Sequence, residues 1–164
     1  PTFKLVTNKY NYISDIPIIV VLGNHLKSKH KLLNNVGNLS EFKIIYITRS
    51  ITVNKDIFNT PYIDTYLDTN TLDMLRLCLL ARYIVCLSTH LDKLSAQSGS
   101  INMAYTTGCS LILTKENKKR YNLKTPISID NVTYLDPMPD FDSVLTERDE
   151  LITNRNDFLE KVIN

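Results

Sequence analysis

Residues 83–113 read YIVCLSTHLDKLSAQSGSINMAYTTGCSLIL, and this stretch decides the fold. Tyr83 to Leu87 is a continuous apolar run, the pattern of a strand covered on both faces rather than one. Leu91 to Gln97 reads as polar loop. Ser98-Gly99-Ser100 then opens a short helix through Tyr105, and Gly108 stands where a glycine ends a helix. Leu111-Ile112-Leu113 is the next strand. Strand, helix and strand in about thirty residues form a βαβ unit, the building block of a parallel sheet.

The same alternation extends outward. Ile18-Ile19-Val20-Val21-Leu22 is a second continuous β-branched run, ending in Gly23-Asn24. The segment after it places Leu32, Leu33, Val36 and Leu39 at helical spacing, opposite Lys29, Lys31, Asn34 and Asn35, which predicts an amphipathic helix. Lys43–Thr48 (KIIYIT) is a strand, and Tyr62–Asp68 (YIDTYLD) alternates as a weaker edge strand does. Asn70 is suited to cap a helix whose Asp73 lies in the first turn. From Leu72 to Leu80 that helix is apolar nearly all round, which predicts deep burial or cover by a partner. Glu116–Tyr121 reads as a basic helical turn and Pro126–Ile129 as a short strand. Asp136-Pro137-Met138-Pro139-Asp140 must be irregular. Residues 142–164 form a C-terminal helical segment, broken near Asn154.

Length and composition fit this reading. The 164 residues suit one domain spanning 1–164, and 43% hydrophobic content fills a core. The expected fold is a single Rossmann-like, doubly wound α/β domain with a mostly parallel sheet flanked by helices. The net charge of +2 lacks the basic excess of a general nucleic-acid binder. Cys78, Cys86 and Cys109 are widely spaced, each in an apolar run. They are expected as free core residues, not a disulfide framework or a zinc site. The longest apolar stretch, Leu77 to Leu87, is interrupted by Arg82 and too short to span a bilayer. No signal-peptide pattern opens the chain, so a cytoplasmic location is expected.

Crossovers in such a fold are right-handed, so the strand C-termini share one edge, and ligands bind there where the strand order reverses. Three groups of candidate residues fall on that edge. Gln97, Ser98, Gly99 and Ser100 sit between a buried strand and a helix start. Glycine permits close approach there, free N–H groups favour an anion, and the serine hydroxyls can bond phosphate oxygens. Gly23, Asn24 and His25 follow the first buried strand, with Lys27 close behind, and ammonium groups there neutralise a diphosphate. His90 follows the strand that ends at Ser88, and Arg49 follows the second strand in the same way. No GxGxxG and no P-loop pattern is present. The carboxylates Asp64, Asp68 and Asp92 show no spacing that forces an acid/base pair. No GxSxG elbow supports a triad of Ser98, His90 and Asp92. No catalytic residue and no metal ligand is assigned, and no cofactor is expected.

These residues resemble the C-terminal, donor-binding domain of GT-B-fold glycosyltransferases. Over Leu72–Leu113 the chain follows that family's run S-G-x-x-x-L-A-x-x-x-G-x-P-x-I at Ser98, Gly99, Ala104, Gly108 and Ile112. Gly23-Asn24-His25 looks like the family's first strand-loop. The likeness covers about 40 residues well, and the rest by element order alone. It departs where Gln97 and Tyr105 occupy positions of the family's paired carboxylates, and where Cys109 and Ser110 stand in place of the lead-in to a proline. The resemblance implies binding of a nucleotide-sugar through its diphosphate, with transfer independent of metal. It also implies a second domain or a partner subunit that supplies the acceptor site. Two other readings stay open: a non-catalytic α/β interaction domain forming a homo-oligomer, and a small nucleoside- or phosphate-processing enzyme.

Overall fold

The computed structural model describes residues 6–22, 26–48, 63–67, 71–87 and 99–163. Within these residues six strands form one sheet: β1 (Ile18–Leu22), β2 (Lys43–Thr48), β3 (Ile63–Leu67), β4 (Tyr83–Cys86), β5 (Ser110–Leu113) and β6 (Ile127–Ser128). Their order is β3-β2-β1-β4-β5-β6, and every neighbouring pair is parallel. This is the doubly wound order of the Rossmann fold, so the Rossmann-like expectation holds. The described strands are wholly parallel. The alternating stretch that reads as an edge strand is indeed β3, at one end of the sheet.

Among the described residues five α-helices cover the sheet: α1 (Leu26–Asn35), α2 (Thr71–Leu80), α3 (Gly99–Thr107), α4 (Lys115–Arg120) and α5 (Phe141–Ile163). The continuous apolar runs are explained by the two cores they serve. On one face Ile18, Val20, Ile84, Cys86, Leu111 and Leu113 pack with Ile101 and Ala104 of α3 and Val144 of α5. On the other, Ile19, Val21, Tyr83, Val85 and Ile112 pack with Leu32 and Val36 at the end of α1 and with Ile129 and Leu135. Successive residues of one strand therefore feed opposite cores, which leaves no polar position in the pattern. Burying each of Ile19, Ile84 and Ile112, all fully inaccessible, stabilises the fold by roughly 1.5–3 kcal/mol.

The structure corrects three expectations. The helix after β1 ends at Asn35, and Leu39 lies in a separate 3-10 turn, Leu39–Glu41. Asn38 between them binds Leu135 from both sides: its Nδ2 donates to the Leu135 carbonyl at 2.7 Å, and its Oδ1 accepts from the Leu135 N–H at 2.9 Å. This clamp holds the chain in a turn where helical periodicity alone would continue it. Of the two readings of the apolar helix α2, deep burial and cover by a partner, the first does not hold all round: Cys78 is buried, but Leu72 and Leu80 are exposed. The C-terminal helix runs unbroken through Asn154, from Phe141 to Ile163. A 3-10 turn at Lys9–Asn11 also precedes β1, in a segment for which the sequence analysis assigns no element. All three cysteines are free and buried, as expected. Among the described residues no helix is long and apolar enough to cross a membrane.

Candidate functional site

The order reverses between β1 and β4: from β1 the chain adds strands outward to β2 and β3, then returns to build β4, β5 and β6 on the other side. The crevice beyond the carboxyl ends of β1 and β4 is where a doubly wound sheet takes its ligand. Leu22 closes β1 on one side of it and Leu87 follows β4 on the other; both are buried.

Of the sequence-derived candidates, Gly23, Asn24, His25, His90, Gln97 and Ser98 lie outside the described residues, as do Arg49 and Asp92. Lys27 lies in the first turn of α1, directly after the β1 edge. Gly99 is the first residue of α3, and Ser100, half-buried, is the second. The described part of the site is therefore two helix starts, those of α1 and α3, one after each of the two strands that flank the switch point. Free N–H groups at such starts carry a partial positive charge.

α3 is fixed rigidly against the sheet. Ile101 and Ala104 are each 1% exposed and face the core. The helix ends at Gly108, whose φ of +72° is the left-handed conformation glycine adopts without steric cost. Beyond it the Cys109 N–H bonds the Ala104 carbonyl at 2.9 Å, and Ile112 is fully buried in β5. Ala104, Gly108 and Ile112 of the glycosyltransferase-like run are thus packing and turn positions.

A cleft of about 480 Å³ opens beside α3, lined by Asn102, Tyr105 and Thr106 of α3, by Tyr121, and by Leu151 and Arg155 of α5. One lining residue, Tyr105, is tied by Glu147. This buried carboxylate accepts from the N–H of Thr125 at 2.9 Å and the Tyr105 hydroxyl at 3.0 Å, and also from the Lys124 N–H and the Thr125 hydroxyl. Burial pushes its pKa up, but these donors outweigh burial and hold it below the usual carboxylate range. Burial raises the Tyr105 phenol. At the position where the family has a carboxylate, this chain therefore has a tyrosine bound to a carboxylate from another helix.

Two further polar groups were not visible in the sequence. Lys9 is fully buried, its Nζ bonding the Cys78 and Leu79 carbonyls at the end of α2 and the Cys109 thiol at 3.4 Å. Burial lowers its pKa. Arg82 bonds the Ser14 and Pro137 carbonyls, both at 2.8 Å, and so ties together two segments beneath the sheet. Both groups lie far from their partners in sequence, and neither residue type signals a tie of this kind. Among the described residues no group of three His, Cys, Asp or Glu side chains is placed to hold a metal ion.

No family model matches the chain, and no curated protein matches it. Among solved structures it is similar to UDP-GlcNAc 2-epimerase from Neisseria meningitidis bound to UDP-GlcNAc, with a TM-score of 0.47 and 15% sequence identity. The match covers 94% of this chain and 40% of the epimerase chain, so this chain spans less than half of that enzyme's length.

Proposed function

We propose that this domain binds a nucleotide-sugar through its diphosphate at the carboxyl edge of β1 and β4, as the donor half of a glycosyl-transferring enzyme. The observation that carries the reading is the start of α3 at Gly99, after β4 and next to the switch point of a wholly parallel sheet. A diphosphate bound there meets backbone N–H groups and, with Gly99, no side chain that bars close approach. The second helix start, at α1, brings Lys27 to the same edge. The likeness of the Ser98–Ile112 run to donor-binding domains supports a sugar-bearing nucleotide over a dinucleotide.

In this reading the leaving diphosphate is stabilised electrostatically, by helix N–H groups and an ammonium in place of a metal. The acceptor, and the group that takes its proton, belong to a second domain or a partner subunit. Titration calorimetry of the purified chain with UDP, GDP, CDP, ADP and inorganic diphosphate tests the binding step. Saturable heat with one nucleoside diphosphate supports the reading and names the base. Equal binding of every anion, or of none, counts against it.

A further inference from the structure

We propose that the surface formed by α4 and the middle of α5 docks on an anionic membrane surface. The inference goes beyond the nucleotide-sugar reading and does not rest on it.

Charge is concentrated there. Residues 115–124 hold five basic side chains against the single Glu116, a local charge of +4 in a chain whose total is +2. Lys124 is engaged with Glu150, at 3.9 Å. The other four, Lys115, Lys118, Lys119 and Arg120, make no ion pair among the described residues, and all but half-buried Lys118 are exposed. The neighbouring acids of α5 are taken: Asp149 pairs with Arg148 at 2.9 Å, and Glu150 with Lys124.

Apolar side chains stand beside the end of the basic helix. Tyr121, directly after the basic helix, shares a cleft with Leu151, Ile152 and Arg155 of α5. Leu151 is 39% and Ile152 40% exposed, and Arg155 is exposed with them. A patch that joins exposed cations, those of α4 through Tyr121 and Arg155 itself, to exposed aliphatic side chains is complementary to an anionic bilayer: the cationic groups meet lipid phosphates while the aliphatic groups enter the acyl boundary. Nucleic acid fits less well, because the exposed apolar side chains, Leu151 and Ile152, are aliphatic and the neighbouring Tyr121 is half-buried, so little aromatic face is open to a base.

Co-sedimentation tests this on the intact chain, with phosphatidylglycerol-rich vesicles against pure phosphatidylcholine vesicles at roughly 0.1 M salt. The chain is expected to pellet with the anionic vesicles only. Each cation near the surface contributes roughly fivefold, so Lys118→Gln, Lys119→Gln and Arg120→Gln together should weaken binding at least tenfold. Leu151→Ser with Ile152→Ser, at exposed positions that leave the fold intact, should weaken vesicle binding severalfold and leave retention on heparin unchanged. No pelleting with anionic vesicles overturns the proposal. So does heparin retention without vesicle binding, which marks a soluble polyanion as the partner. Equal loss of heparin and vesicle binding in the serine variant also overturns it.

Discussion

The ammonium of Lys9 lies 2.9 Å from the carbonyl oxygen of Cys78, so a turn near the start of the chain closes the end of α2. The Leu79 carbonyl, at 2.7 Å, shares the same ammonium. The Cys78 carbonyl also accepts from the Ala81 N–H at 3.2 Å, and a cation at a helix C-terminus meets the negative end of its dipole. Lys9→Met keeps the bulk and removes these two bonds together with the contact to the Cys109 thiol. It should cost about 3 kcal/mol in urea unfolding, the scale of two charge-assisted bonds offset by the removal of a buried charge. A loss below about 1 kcal/mol would show that the contact contributes little.

Glu147 makes stability depend on acid. Its folded pKa is held below the ordinary 4.5, so its contribution is complete above the unfolded value and is lost as pH falls through the folded one. Glu147→Gln should cost about 2 kcal/mol at neutral pH, since an amide group cannot accept from all four donors. The gap between wild type and variant should close in acid, below the ordinary carboxylate value. Urea midpoints taken from neutral pH down to pH 3 give the comparison; a constant gap would contradict the assignment.

Gly108 carries a positive φ in a crowded place. A Cβ built there lies 3.1 Å from Leu145 Cδ2 and 3.4 Å from Lys9 Cβ. Gly108→Ala should therefore destabilise by roughly 1–3 kcal/mol, the cost of a left-handed non-glycine residue plus a displaced leucine. Thermal unfolding checks this. An unchanged or raised melting temperature would mean that the turn relaxes freely.

Most of the fold was legible because hydrophobic patterning is local. The continuous runs at Ile18–Leu22 and Tyr83–Leu87 and the glycine at Gly108 each announce their roles within a few residues. The turn at Asn38 and the unbroken α5 were not legible, because long-range contacts decide them: Leu135 for the first, the packing of Val144 and Leu145 for the second. The apolar residues of α2 did not distinguish deep burial from cover by a partner, since composition counts Leu72 and Leu80 as core while their positions on the helix turn them away from it. At the candidate site, the start of α3 was legible from Ser98-Gly99-Ser100 and Gly108. The tie between Tyr105 and Glu147 was not, because 42 residues separate them.

The most direct test of the central claim is a thermal-shift comparison of wild type and Gly99→Val against the panel of nucleoside diphosphates. Ligand at a hundred times Kd adds roughly 2.7 kcal/mol of apparent stability, a shift of several degrees. The account predicts that one nucleoside diphosphate stabilises the wild type and leaves the variant unmoved, with both melting at the same temperature without ligand. An equal shift in the variant would contradict the placement of the diphosphate at the start of α3, and no shift in the wild type would contradict nucleotide-sugar binding by this domain.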